Sequence, residues 1–516
     1  MKIQRTKNTA RNMMWGVFNN LVKMLLPFVA RTILLKLLGE QYLGLNGLFS
    51  SILQVLNLAD LGFGTAIVYS MYKPIAEDNK DAICALLAMY KKIYRVIGGV
   101  VLTIGLCLLP FLKYFIKGDI PDDVNIYLIY LIYLGNTVIS YWMFAYKTSL
   151  LSAHQRNDMT MKIHTVLLFV QYGLQIGLLL IVKNYYLYLI VLPFITMLTN
   201  IATAMVVKKL YPEYICRGQV SDDVKKGIKK QVGGLFISKV CGVTRNALDN
   251  VFISSFIGLT AVSIYGNYYY ILNAVHGLLS VIGQSMLGGV GNSIAKESKE
   301  KNFVDFNRLN FLYAWLSGWC ACCMLCIYQH FMEIWVGSKF LFPFSTMVLL
   351  CVFFYAMTMT DIKNVYVDAC GLWWQNRVRS ILEAVSNFVL HIILGYFFGI
   401  WGIIGATLIT IVTINFIYGN YILFKHYFKN ESLKLYLLKH LGYLTVTAIV
   451  TVITYIVCSL LPKTGFIALI GKAAICVVLP NVLFLLFYCQ TKVFAQAKPL
   501  VINIIRGFMK KLHLIR

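Results

Sequence analysis

Apolar runs long enough to cross a bilayer recur from one end of this chain to the other, and no other feature limits its fold as severely. A membrane-spanning helix needs about 20 predominantly apolar residues at about 1.5 Å of rise each, and its backbone has to satisfy its own hydrogen bonds. Fourteen spans can be drawn, at about 13–35, 42–68, 93–112, 124–146, 163–182, 185–207, 232–257, 262–289, 309–330, 342–369, 379–398, 400–424, 440–461 and 466–489. With 59% hydrophobic and only 13% charged residues in 516, no soluble catalytic domain fits beside them. The expectation is an all-α polytopic membrane protein of about 14 helices and not an enzyme.

The formal net charge of +26 raises the question of nucleic acid, and its placement answers it. The amino terminus and alternate loops carry 35 of the 47 Lys and Arg residues. The intervening loops carry only Lys36, Lys113, Lys117, Lys183, Lys339 and Lys463. That alternation follows the positive-inside rule and puts both termini in the cytoplasm. The basic charge then encodes topology and attracts anionic lipid, so membrane lipids are expected partners and nucleic acid is not. The opening MKIQRTKNTARN is followed by an apolar segment too long for a cleaved signal, so it reads as an anchor.

Six cations lie well inside spans, away from the span ends: Lys23, Arg31, Lys239, Arg245, Lys363 and Lys472. A Lys or Arg at the centre of a membrane helix costs about 2.5–3.5 kcal/mol on insertion scales, so each needs protein or water beside it. In the first span, taking Asn20 as zero at about 100° per residue, Lys23 falls near −60°, Pro27 near −20° and Arg31 near +20°. These form one polar stripe of roughly 80°. In the seventh span Lys239, Gly242, Arg245, Asn246, Asp249 and Asn250 share an arc of about 140°. Arg245 and Asp249 are four apart, which makes them candidates for an internal pair. The two helices together predict a cationic cavity lined by Lys23, Arg31, Lys239, Arg245, Asn20 and Asn246.

The chain also reads as a duplication. Gly39 and Gly47 align with Gly258 and Gly266, and the turn at Gln155-Arg156-Asn157 aligns with Gln375-Asn376-Arg377. The two anchors give offsets of 219 and 220 residues. Copies with an even number of spans share one membrane orientation and are related about an axis along the normal. The expected organisation is a six-helix bundle at 1–210, a basic cytoplasmic linker at 211–231, a second six-helix bundle at 232–430, and two further helices with a basic tail at 431–516. In the linker, Ser221-Asp222-Asp223 predicts the start of a short amphipathic helix. The stretch 73–92 is expected as a mixed-charge cytoplasmic loop.

Buried acids are candidates for ion coupling, and Asp60, Asp249, Asp361 and Asp368 fill that role here. Structural hydrogen bonding is the competing explanation for each. Pro121-Asp122-Asp123 is expected to open a helix rather than to hold a metal. Of the 13 cysteines, Cys320, Cys322, Cys323 and Cys326 lie mid-span with no second ligand pair in sequence, so they are expected to be small apolar residues, and no metal site is expected.

Two passages carry a specific resemblance. YLGLNGLFSSILQVLNLADLGFGTAIVYSMYKPIAEDNK at 42–80 resembles the second-helix signature of bacterial polysaccharide-repeat flippases. GLWWQNRVRSILEAVSNFVLHIILGYFFGIWGIIGATL at 371–408 resembles the eleventh-to-twelfth helix passage of that family, with its Gly-Ile-x-Gly-x-x-Gly-x-Thr pattern at Gly399 to Thr407. LLSAHQRN is a weaker third match, and His154 stands there where an acid is expected. The family belongs to the multidrug/oligosaccharidyl-lipid/polysaccharide exporter superfamily.

The resemblance implies two six-helix bundles related by pseudo-two-fold symmetry plus two C-terminal helices, and alternating access across a bacterial cytoplasmic membrane. It implies an undecaprenyl-diphosphate-linked oligosaccharide as cargo for surface polysaccharide synthesis, with the polymerase and glycosyltransferases of that pathway as partners. Cations in the first and seventh helices then contact the diphosphate or acidic sugars. No cofactor is implied beyond coupling to H+ or Na+. The competing functions are a multidrug or cation antiporter of the same superfamily and a flippase for peptidoglycan or teichoic acid precursors.

Overall fold

The computed structural model describes residues 5–57, 63–118, 120–462, 464–499 and Ile502, and those residues form helices and connections with no strand. Two compact units divide at Gly266 and Asn267. The first contains α1 (Arg5–Leu37), α2 (Glu40–Leu56), α3 (Phe63–Ala76), α4 (Lys80–Leu108), α5 (Ile126–Trp142), α6 (Thr148–Ala153), α7 (Asn157–Ile181), α8 (Tyr185–Leu210) and α9 (Asp222–Phe256). Helix α10 (Leu259–Lys296) starts in the first unit and continues into the second. The second also holds α11 (Lys299–Val336), α12 (Phe344–Thr358), α13 (Asp361–Ala369), α14 (Trp373–Thr410), α15 (Gly419–His426), α16 (Leu433–Ser459) and α17 (Phe466–Tyr488).

Eight helical stretches among the described residues are long and apolar enough to cross a bilayer, nine when α5 and α6 are taken together. One of them, the 54 residues from Trp373 to His426, carries both the eleventh and twelfth expected spans. They are divided at Gly399, whose φ of 56° and ψ of −132° interrupt the helix. Close beyond it, a Cβ on Gly402 would overlap the Leu394 carbonyl, so only glycine lets the chain double so tightly. The four other expected spans fall on α1, on α2 with α3, on α9 and on α10, and the whole is compatible with fourteen.

The duplication is visible in local backbone geometry. Gly39 and Gly258 both follow a helix end and precede the next helix, with φ of 107° and 129°. Each donates its N–H to a carbonyl five residues back, Leu34 and Ile253. The second anchor lies elsewhere than the residue identities place it. Left-handed Gln155 and Gly371 close equivalent turns, in which Arg156 donates to Leu151 at 2.7 Å and Leu372 to Val367 at 3.0 Å. These are Schellman-type helix ends, and their offset is 216 residues rather than 220. The matched Gln, Asn and Arg lie about one turn away, at the start of the following helix. Both units also break the span before this turn: α5 and α6 are bent by 48°, and α12 gives way to α13 at Met359-Thr360.

Two expected connections are helical instead. Residues 73–92 end α3 and begin α4, because Ile83, Leu86, Leu87 and Tyr90 repeat at helical spacing and enter a core with Ile67, Met71, Leu150, Leu151, Val207 and Tyr211. Asn79 caps α4 by accepting the Ala82 N–H at 3.0 Å. The amphipathic helix expected after Ser221 is the beginning of α9, a continuous helix of 35 residues. Ser221 supplies no side-chain cap; Lys225 instead ties the first turn by donating to Asp222 at 2.9 Å. Asp122 and Asp123 precede α5 rather than opening it, since Asn125 is the cap and Asp123 accepts from Tyr42.

His154, in the α6–α7 turn, is buried against Tyr211 with ring centroids 4.3 Å apart. Its Nδ1 lies 2.9 Å from the Leu150 carbonyl. Burial pushes its pKa below the ordinary value of 6.5. The unfolded chain then binds more protons than the folded one below that value, so this contribution is full above about pH 6.5 and is lost as pH falls. The melting temperature should drop between pH 7 and 5, and by less in His154→Phe. Equal pH slopes for the two proteins would refute a buried neutral imidazole.

Candidate functional site

The cationic stripe lies on α1, which packs along α7 in the first unit. Packing uses the side beside the stripe: Val22, Ala30 and Leu34 are buried, and so is Asn19. Asn19 donates to Thr165 Oγ1 at 2.7 Å and to the Met161 carbonyl at 3.4 Å. Asn19, one residue off the stripe, is therefore the asparagine that joins the two helices, while Asn20 is exposed. Lys23 is exposed as well, with its charge felt at His164 of α7. His164 Nδ1 is buried with no hydrogen-bond partner.

Arg31 is half-buried, two turns or about 12 Å farther along the axis than Lys23. Its Nη2 donates to the Ser263 carbonyl on α10 at 3.4 Å, and the Tyr188 hydroxyl of α8 lies within its field. The guanidinium occupies space that a side chain at Gly266 would take, since a Cβ there would lie 2.6 Å from Nη2. Nearby, α2 approaches α10 so closely that a Cβ on Gly44 would overlap the Leu259 carbonyl. Asn250 of α9 donates to Ser51 of α2 at 2.9 Å. Asp249 is buried and accepts from Tyr265 at 2.7 Å. The structure thus gathers α1, α2, α7, α8, α9 and the start of α10 around one polar strip containing Arg31.

Lys239, Arg245 and Asn246 lie on α9, and their side chains are outside the described residues. Asp60 is outside them altogether. Asp361 and Asp368 both belong to α13 but have different partners. Asp361 accepts from Tyr313 at 2.6 Å and lies 3.2 Å from His276 Nε2; Asp368 accepts from the Trp373 indole at 2.9 Å.

The second unit holds a charged network that helical periodicity alone does not reveal. Arg379 donates to Glu383 at 2.6 Å, and both side chains are buried. Asn415 donates to both Glu383 oxygens, at 2.9 and 3.0 Å. Lys363, wholly buried, donates to Asn415 at its side-chain oxygen (2.6 Å) and its backbone carbonyl (2.9 Å). That carbonyl lies within Ile411–Tyr418, which are wound as a π-helix. The i,i+4 spacing of Arg379 and Glu383 was the readable signal; Asn415, thirty-two residues on, had none.

Cys322, Cys323 and Cys326 sit in an apolar cluster, as expected of small apolar residues. Cys326 of α11 meets Cys458 of α16 and Cys476 of α17, so the second pair of thiols absent from the local sequence comes from the two C-terminal helices. Packing of α11 on α16 and α17 produces that meeting.

With this geometry in hand, known proteins can be compared. The sequence profile of the family described as "Polysaccharide biosynthesis protein" matches residues 9–287, more than half of the chain. No curated protein matches significantly. Among solved structures, the lipid II flippase MurJ in its inward closed conformation superposes with a TM-score of 0.68 at 13% identity, covering 92% of this chain and 98% of its own. An inward-facing multidrug resistance MATE family transporter of the MOP superfamily gives 0.60 at 14% identity, covering 77% and 94%. The Vibrio cholerae MATE transporter VcmN in its bent form gives 0.52 at 13%, covering 81% and 98%. At these identities the likeness is one of fold. The chain belongs to the polysaccharide biosynthesis protein family, on the fold shared by flippases and multidrug transporters of the multidrug/oligosaccharidyl-lipid/polysaccharide exporter superfamily.

Proposed function

We propose that this protein is a flippase that moves an undecaprenyl-diphosphate-linked oligosaccharide repeat unit from the inner to the outer leaflet of a bacterial cytoplasmic membrane, by alternating access. Its termini face the cytoplasm, and the polymerase and glycosyltransferases of surface polysaccharide synthesis act on either side of it. The observation that supports this most directly is the match to the polysaccharide biosynthesis family over the residues that carry α1 to α9 and most of α10.

The chemistry of α1 fits the cargo. A diphosphate entering from the amino-terminal end of α1 meets Lys23 first and Arg31 about 12 Å farther on, so the stripe hands the headgroup along rather than clamping it at one point. Arg31 offers a planar fork to phosphate, whereas Lys23 offers a point charge. Away from bulk water such charge-assisted hydrogen bonds strengthen, which offsets part of the cost of bringing an anion into the membrane. Lys239, Arg245, Asn20 and Asn246 complete the proposed binding set. Asp60, Asp249, Asp361 and Asp368 are the proposed carriers of a coupling proton or sodium ion.

Peptidoglycan precursor is the second reading, favoured by the TM-score of 0.68 to a lipid II flippase. A multidrug antiporter is disfavoured, because its cationic substrates would meet Lys23 and Arg31. Deletion of the gene should leave lipid-linked repeat units shielded from a membrane-impermeant glycan label on intact spheroplasts. If labelling and surface polysaccharide are unchanged, with no redundant flippase in the strain, the proposal fails. Rescue of cells depleted of their lipid II flippase would move the assignment to the second reading.

A further inference from the structure

Three sulfurs from three helices converge in the second unit. Those of Cys326 (α11), Cys458 (α16) and Cys476 (α17) all lie within 4.8 Å of one another, with Cys458 and Cys476 at 3.9 Å. All three residues are buried, and so is Cys322, one turn back on α11. A tetrahedral ion with metal–sulfur bonds of about 2.3 Å holds its sulfurs about 3.8 Å apart. These thiols are therefore spaced as co-ligands, far beyond the roughly 2.0 Å of a disulfide.

Small apolar packing accounts for the thiols but not for what lies beside them. Cys326 and His330 are one turn apart on α11, and Lys472 and Cys476 one turn apart on α17. Cys326, His330 and Lys472 line one cavity of about 240 Å³ together with Cys458, and the Cys476 sulfur lies against those of Cys326 and Cys458. Lys472 and His330 are buried, and Lys472 Nζ donates to His330 Nδ1 at 3.1 Å. His330 Nε2 is buried with no hydrogen-bond partner. Among the described residues the hydrogen-bond partner of the Lys472 ammonium is this neutral imidazole, and no carboxylate is within ion-pair distance. Glu333 lines the same cavity but lies beyond ion-pair distance of Lys472, so the ammonium has no direct anionic partner, and a buried ammonium in a membrane span is stabilised by negative charge nearby.

We propose that Cys326, Cys458 and Cys476 bind one divalent thiophilic d10 ion of the zinc class. Binding displaces three thiol protons to solvent, and three thiolates with a divalent ion leave one net negative charge. Lys472 neutralises it. A monovalent ion such as Cu(I) would leave two negative charges against the same lysine, so the divalent ion suits the site better. The ion would pin α16 and α17 to α11.

The test uses the purified full-length chain in detergent, kept anaerobic and titrated with Cd2+ alone. Thiolate-to-cadmium charge-transfer absorption should saturate at one ion per chain and be reversed by Zn2+. Affinity should fall at least tenfold in Cys458→Ser and in Cys326→Ser, and stay unchanged in Cys84→Ser, a buried thiol of the first unit. Should the variants fail to fold, the wild type still decides: bound Zn2+ should protect Cys326, Cys458 and Cys476 from alkylation, read by peptide mass. Absence of the band at stoichiometric cadmium overturns the proposal. So does a band retained in Cys458→Ser, alkylation indifferent to zinc, or recovery of Cys458 and Cys476 as a disulfide.

Discussion

Replacing Arg31 by Gln is expected to lower translocation about 10- to 100-fold while leaving the protein at normal abundance in the membrane. A hydrogen bond to a charged partner contributes about 1.5–3 kcal/mol, and Gln keeps the length and polarity of the side chain while removing the charge and the fork. Arg31→Lys should recover part of the rate, since the charge survives and the bidentate geometry does not. The structure supplies a positional control in Gly266. A Cβ there would lie 2.6 Å from Arg31 Nη2, so Gly266→Val should displace an intact guanidinium and reproduce the loss. Lys23→Gln, on the exposed part of the stripe, should slow transport without altering the melting temperature. The measurement is leaflet transfer of lipid-linked oligosaccharide in proteoliposomes, scored per folded protein. Wild-type rates in both Arg31→Gln and Gly266→Val would eliminate the stripe as a cargo contact.

The second large effect is on stability. Glu383→Gln should destabilise the protein by about 3–5 kcal/mol, because it leaves buried cations without their carboxylate. Arg379 donates to Glu383 at 2.6 Å, and Lys363 is linked to it through Asn415. Removing both charges of the pair is a different perturbation. In Arg379→Met/Glu383→Leu the desolvation cost of each ion disappears with the ion, so the double variant should melt well above Glu383→Gln. Thermal melts in one detergent compare the three proteins directly. A Glu383→Gln variant that melts with the wild type would show that the network carries no stability. A double variant no better than the single one would show that packing at these positions, rather than charge, sets it.

How much of this was legible before any coordinates can be judged residue by residue. The membrane class followed from span length, and the helices are compatible with fourteen spans. Gly39 and Gly258 were found as repeat anchors because glycine is required where φ is 107° and 129°. The second anchor was displaced by one turn because left-handed Gln155 is matched by Gly371, and identity gives no warning that a glutamine occupies a glycine's conformation. Residues 73–92 were mistaken for a loop because charge was weighted above the spacing of Ile83, Leu86, Leu87 and Tyr90. Within the stripe, periodicity could not tell Asn19 from Asn20. A difference of 100° in direction is decided by which neighbour the helix lies against, and that neighbour, α7, is more than a hundred residues away.

Span length and composition alone are enough to show that the chain crosses a membrane many times and that cations remain inside its spans. Those conclusions rest on transfer free energies, which sum over local stretches and need no partner. Only the tertiary structure decided which polar groups meet. Arg31 beside Ser263, Lys363 on the π-helical carbonyl of Asn415, and the sulfurs of Cys326, Cys458 and Cys476 are each brought together by helices far apart in sequence. A single helix carries only its own periodicity. The identity of the facing helix, and so the chemistry at each buried polar atom, is written in the packing alone.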